Sequence, residues 1–161
     1  MIEDKELHRV TVTGLVYKPD LHYLITKRAM HKKVMPGKWT IPGGGLSTDD
    51  YINTPVSTKS SKQWYGALET CLRREIREEV NLEIGKGEIL TDLTFIRPDG
   101  IPVLCLSYFA PYVSGEIKLD ADTTEYAWIK VDEVGKYDLI EGVDEEIRRV
   151  DEILKARQKS S

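Results

Sequence analysis

The stretch "HRVTVTGLVYK", His8 to Lys18, alternates along its length and is rich in β-branched residues, so it reads as a strand. "PDLH" turns the chain, and "YLITKR", Tyr23 to Arg28, returns as a second strand. A short strand follows around Trp39 to Ile41, broken by Pro42 and the glycines Gly43 to Gly45. From Ser47 to Ser61 the pattern dissolves into Ser, Thr and other polar residues around Pro55, a loop longer than a compact domain carries without a functional reason. Then the period changes. Leu68, Leu72, Ile76 and Val80 recur every fourth residue, predicting a helix from Gln63 to Val80 with Ser60 or Ser61 as its N-cap.

Beyond that helix, "EILTDLTFIRPDG" and "IPVLCLSYFAPYV" meet at an Asp-Gly turn signal and read as a hairpin over Glu88 to Val113. "TEYAWIKV", Thr124 to Val131, is another strand. Ile147, Val150, Ile153 and Leu154 mark an amphipathic helix over 143–157. No internal repeat and no linker interrupts the series, so residues 1–161 are expected to form one domain, a mixed α/β sandwich.

Composition narrows the partners. The 161 residues are 40% hydrophobic and 31% charged, ordinary values for a soluble globular chain. The net charge of −4 opposes a general nucleic-acid or anionic-membrane binder, so a negatively charged substrate needs local lysine, arginine or bound metal. "MIEDKELHRV" lacks the basic start and apolar run of a signal peptide, and no apolar run approaches the roughly 18–20 residues of a membrane span. Cys71 and Cys105 lie in apolar patterns and read as buried thiols of a reducing compartment; the expected location is cytoplasmic.

The chemistry concentrates in "LRREIREEVNL", Leu72 to Leu82. At about 100° per residue, Leu72, Ile76 and Val80 face the core while Glu75, Glu78 and Glu79 share the adjoining arc. Glutamates three and four apart are neighbours and repel, so the cluster costs something in isolation. An arginine-laced solvated face would explain a bare pair of glutamates, whereas Mg²⁺ or Mn²⁺, which take carboxylate oxygens, would explain three.

The wider pattern decides between these. "RREIREEVNL", preceded by "WTIPGGGL", resembles the Nudix (MutT-like) hydrolase family, whose box reads G-x5-E-x7-R-E-U-x-E-E-x-G-U with U aliphatic. Arg74 to Leu82 match its second half except at Asn81, which stands for the glycine and is the next best residue for a left-handed helix end. "YLITKRAMHKKVMPGKWTIPGGGL" looks like the family's approach to the box, and "TEYAWIKVDEV" like its late strand. One departure stands out. The glycine cluster lies too early for an uninterrupted box, so residues 47–65 read as an insertion and the box glutamate as missing or displaced, with Asp49, Asp50 and Glu69 as candidate substitutes.

The resemblance implies a Nudix-type α/β/α sandwich with a mixed central sheet. It implies an Mg²⁺- or Mn²⁺-dependent hydrolase cleaving the pyrophosphate linkage of a nucleoside diphosphate joined to another group, a nucleoside triphosphate or an ADP-ribose-type dinucleotide. By matched position Glu75, Glu78, Glu79 and the Gly44 carbonyl are expected metal ligands, and Arg74 is expected to order helix and loop by hydrogen bonds. Glu75, Asp122 and Glu125 are the candidate general bases. Arg28 and Lys38 are placed to meet phosphates, and Trp64 or Tyr65 to stack a base, as Tyr51 in the insertion also could, unless they merely pin the loop. Trp39 and Trp128 are expected near the core. His8, His22 and His31 lack metal-ligand spacing. No stable nucleic-acid partner is expected; homodimers are common in the family. Two alternatives remain at this level: a Nudix-fold binding module without catalysis, and an isopentenyl-diphosphate isomerase-like enzyme, which needs a positioned cysteine and acid.

Overall fold

Alternation along the first strand sends its side chains to two separate cores. Val12 and Val16 pack with Leu24, Leu72, Ile76 and Val80, while Leu15 packs with Tyr23, Ile25, Phe109, Ile147 and Val150. A strand that sends apolar side chains to both faces of its sheet has to be covered on both sides. The computed structural model, which describes residues 4–161, shows that arrangement. Strands β1 (Arg9–Tyr17), β2 (Tyr23–Arg28), β3 (Trp39–Thr40), β4 (Gly43–Gly45), β5 (Glu83–Ile84), β6 (Glu88–Ile96), β7 (Pro102–Ser114) and β8 (Thr123–Ile129) form a mixed sheet between helices α1 (Ala67–Val80) and α2 (Val143–Ser160). This is the expected α/β/α sandwich.

The sheet is built around β1 and β7, which run parallel from Arg9 beside Val103 to Tyr17 beside Pro111. β6 pairs antiparallel with β7 across the expected hairpin, whose turn puts Gly100 at φ +84°. On its other side β1 meets β2 only at Tyr17 and Tyr23, then takes β4 alongside Thr11 to Thr13. β1 and β2 therefore splay, and the glycine strand fills the gap, with the Gly14 amide donating to the Pro42 carbonyl at 2.8 Å. A Cβ at Gly43 would strike the Val12 carbonyl and the Thr13 backbone, which is why glycine sits there. Asn81 closes α1 at φ +59°, its side-chain amide donating to the Glu116 carbonyl at 2.9 Å.

The structure corrects the start of α1. It begins at Ala67 with Gly66 (φ +80°) as N-cap, and neither Ser60 nor Ser61 caps it. Residues 57–65 are committed to their own loop: the Ser57 amide donates to the Gln63 carbonyl (2.8 Å), the Tyr65 amide to Ser57 Oγ (3.2 Å) and Trp64 Nε1 to the Thr54 carbonyl (3.0 Å). β4 and β5, three and two residues long, are too short for any period to reveal. Among the described residues, no helix is long and apolar enough to cross a membrane.

Under α2, the fully buried Tyr23 hydroxyl donates to Asp151 Oδ1 at 2.8 Å, and Lys155 holds the other carboxylate oxygen at 2.6 Å. Burial and this carboxylate push the Tyr23 phenol well above its ordinary pKa, so the hydroxyl stays a donor. Tyr23→Phe leaves one buried carboxylate oxygen without its donor and should cost about 1–3 kcal/mol. Urea unfolding should show the loss as a lower midpoint with an unchanged slope.

Candidate active site

One face of α1 lies against the glycine strand, and its charged residues meet there. The Glu75 carboxyl packs on Gly44 so closely that a Cβ at Gly44 would overlap it. Glu79, one turn on, turns inward beneath β2 and β8. Its Oε2 accepts from the Gly43 amide (3.1 Å), and its Oε1 accepts from the hydroxyls of Thr26 (3.2 Å) and Thr123 (3.4 Å). Burial pushes this carboxyl up to about 7, against the pull of the Gly43 amide, with the nearby Asp120 charge adding to the rise and the two hydroxyls opposing it. Glu78 is exposed, with Arg74 at 3.0 Å.

Arg74 ties these parts together. Its Nε and Nη2 grip both oxygens of Asp50 (2.5 and 3.1 Å), and Nη2 also donates to the Gly45 carbonyl (3.1 Å). Nη1 reaches Glu75 Oε1 (2.8 Å) and Glu78 Oε2 (3.0 Å). Arg74 thus orders helix and loop. The Asp50 side chain is wholly buried, and it also accepts from the Ser47 amide at 2.8 Å to close a short turn over Thr48–Asp50. Arg74's hydrogen bonds hold the Asp50 carboxyl below the usual carboxylate range, against its burial.

Asp50 stands six residues after Gly44, the G-x5-E spacing of the box with Asp for Glu, and the additional residues follow it. Of the three candidate substitutes it is the one in contact with Arg74. Asp49 is exposed, and Glu69 pairs with Arg73 at 3.0 Å.

The remaining expected site residues divide. Arg28 lines the cavity next to Glu79, its Nε bound to the Val34 carbonyl at 2.9 Å and its pKa lowered by burial. Lys38 instead pairs with Asp138 at 2.6 Å, away from that cavity. Asp122 is held by His31 (2.8 Å) and Lys32 (2.6 Å), and Glu125 by Lys27 (2.7 Å); neither joins the α1 glutamates. Trp64 packs on Tyr51 with ring centroids 5.3 Å apart, pinning the inserted loop to itself, and Tyr65 is exposed; neither lines the cavity. Burial pushes the Cys71 thiol up to about 12, helped by Asp50, which leaves it unsuited to acid–base chemistry near neutrality.

Sequence reasoning missed Thr26, Thr123, Ser107 and Glu146. Thr26 and Ser107 fall in the buried phase of otherwise apolar strands, a signal that alternation contains but does not interpret. A cavity of about 440 Å³ is lined by Gly43, Gly44 and Glu79 together with Leu93, Phe95 and Glu146.

The donor set suits a hard divalent cation. Glu75 has one oxygen on Arg74 and, among the described residues, no hydrogen-bond partner for the other. Glu75, Glu78, Glu79 and the Gly44 carbonyl are all oxygen donors around one glycine strand. Among the described residues no three His, Cys, Asp or Glu side chains stand together so as to hold a metal ion by themselves. Mg²⁺ does not require one, since it keeps several waters and completes its shell with substrate phosphates.

The family model described as "NUDIX domain" matches residues 7–150, and the chain belongs to the Nudix family of hydrolases. It is 29% identical over 140 residues to nucleoside triphosphatase NudI of Escherichia coli strain K12, covering 80% of this chain and 87% of that one. The NudI of Klebsiella pneumoniae strain 342 is 31% identical over 132 residues, covering 73% and 79%. The fold matches the MutT protein of Methanosarcina mazei Go1 (TM-score 0.67, 21% identity, covering 93% and 97%). It also matches the Nudix domain of Shewanella oneidensis NrtR, crystallised with ADP ribose (TM-score 0.69, 18% identity, covering 96% and 99%).

Two outcomes follow for the glycine strand and its anchor. Asp50→Asn removes the charged partner of two Arg74 hydrogen bonds while Glu75, Glu78 and the Gly45 carbonyl remain, and should cost about 1–3 kcal/mol at neutral pH. A carboxyl with a lowered pKa contributes stability above its unfolded value, near pH 4, and loses it as pH falls through the folded value. The wild type should therefore show an acid-side loss of stability in that range that the variant lacks, read from melts at stepped pH. Gly44→Ala should displace Glu75 and reduce turnover about 100-fold with little change in melting temperature.

Proposed function

We propose that this Nudix hydrolase is a divalent-metal-dependent nucleoside triphosphate pyrophosphohydrolase. The observation that carries the reading is the single cavity that runs from Glu79 and the glycine strand to the exposed side chains of Leu93 and Phe95 and the start of α2. Its volume is at the lower end of small-ligand sites and suits one nucleoside better than two. Identity to enzymes named nucleoside triphosphatases supports the same choice.

Glu75, Glu78, Glu79 and the Gly44 carbonyl would hold Mg²⁺ or Mn²⁺, which when bound neutralises phosphate charge and acidifies water. The chain's own contributions are positional. Arg74 draws Glu75 and Glu78 to one side of the glycine strand. Arg28 supplies a desolvated cation at the cavity wall next to Glu79, suited to a phosphate oxygen. Glu75, with its second oxygen unengaged, is the group best placed to take a proton from the attacking water, because Asp122 and Glu125 are spoken for by cations.

The test is product release from a panel of NTPs, dNTPs, ADP-ribose, NADH and diadenosine polyphosphates with Mg²⁺ or Mn²⁺, wild type beside Glu79→Gln. Triphosphate turnover should exceed that of the dinucleotides and fall by at least about 100-fold in the variant. Preference for ADP-ribose would overturn the substrate, and a folded wild type inert on every member would make the chain a binding module. Glu79, titrating near 7, must lose its proton to serve as a ligand, so metal affinity should weaken as pH falls below about 7. Calorimetry in buffers of different ionisation enthalpy should detect one proton released per binding event near pH 6, absent in Glu79→Gln.

A further inference from the structure

The α2-facing side of the sheet changes character along β1 and β7. Leu15 lies beside Phe109, then Thr13 beside Ser107, then Thr11 beside Cys105. The first pair belongs to the packed core under α2, while the second and third line the cavity. Over that switch sits Glu146, on the first turns of α2. Ser107 Oγ, itself only 1% exposed, donates to Glu146 Oε1, and Thr13 Oγ1 lies 3.1 Å from Ser107 Oγ. Among the described residues nothing hydrogen-bonds Glu146 Oε2. Opposite, Leu93 and Phe95 of β6 present apolar side chains that are 40% and 42% exposed, large values for residues lining a cavity.

A carboxyl held by a buried hydroxyl, in a cavity with exposed apolar side chains and linked through Ser107 to the Thr13 that pairs with Gly43, has no part in the hydrolytic chemistry described above. We infer that Glu146 is the base-reading residue of this cavity: its free oxygen accepts an N–H from the nucleobase edge, and Leu93 and Phe95 cover the ring. The proposal rests on the nucleoside triphosphate reading and adds its specificity element. The substrate class is a triphosphate whose base presents an amino or ring N–H donor. Burial pushes the Glu146 carboxyl upward, with Ser107 and Arg149 pulling the other way; both protonation states retain an accepting oxygen, so the contact survives either.

The test compares wild type, Glu146→Ala and Glu146→Gln on dNTPs, on dNTPs whose donor N–H is methylated, and on an abasic deoxyribose triphosphate. Glu146→Ala should lower kcat/KM on ordinary dNTPs about 10- to 100-fold, chiefly through KM. Glu146→Gln, which keeps an accepting oxygen, should recover part of that loss. Neither variant should change hydrolysis of the abasic substrate, and only the wild type should discriminate against methylated bases. Equal losses on the abasic substrate would reduce Glu146 to a structural role, and unchanged kcat/KM on every dNTP would remove it from base recognition. The same comparison is run by binding of α,β-methylene analogues. A wild type that binds them yet turns over no dNTP fails as a hydrolase and still tests Glu146, and one that binds none overturns both readings.

Discussion

The Arg74 guanidinium is the group on which the rest of the site depends. Two glutamates and an aspartate converge on it from helix and loop, and without a cation among them their mutual repulsion would oppose that packing. A lysine would not serve. Only a planar fork can hold both oxygens of Asp50 while reaching Glu75, Glu78 and the Gly45 carbonyl, so the residue sets directions as well as charge. Because Asp50 is wholly buried, the pair's main effect is geometric. Desolvation offsets much of its Coulombic attraction, but any other arrangement leaves a buried charge unpaired.

That anchor also bears on the long loop between Asp50 and α1. Asp50 and Arg74 are joined in space, so the intervening residues form a closed excursion whose ends are already fixed. Closing a longer loop between fixed ends costs little more than closing a short one. The excursion then satisfies its own needs, with Trp64 against Tyr51 and hydrogen bonds from residues 57–65 back to 54–57 and to one another. Trp64 and Tyr51, which suggest base stacking in the sequence, hold this loop together, and the exposed apolar side chains Leu93 and Phe95 of the cavity come from β6.

Much of the fold was legible because it is periodic. β1, β2, the β6–β7 hairpin, β8 and both helices show in alternation or four-residue recurrence. β4 and β5 were not, since two or three residues contain no period and β4 exists only because β1 and β2 splay. The α1 start was misplaced for a local reason, the glycine at φ +80° that ends the loop having more influence than serines upstream. At the site, Glu75, Glu78, Glu79 and Arg74 were singled out by the resemblance to the Nudix box, and the structure brings Glu75 and Glu78 to Arg74. Asp50 was one of three acids until contact with Arg74 singled it out. Asp122, Glu125 and Lys38 had plausible positions but find opposite charges on neighbouring loops and strands, contacts between residues distant in sequence that no linear pattern encodes.

The least legible element is the polar half of the α2-facing sheet. A strand tuned for stability would continue Leu15 and Phe109 with further apolar pairs, as its other face does with Val12 and Val16. Thr13, Ser107, Thr11 and Cys105 instead leave a space unfilled, forgoing the packing that an interior otherwise gains from every methylene. Where consistent local choices stop serving the core, the departure marks a place constrained by something other than folding. Here it lies within the same cavity as Glu79 and beneath Glu146. The unfilled half of one face and the crowded acidic helix on the other are thus joined through the glycine strand that β1 admits between itself and β2.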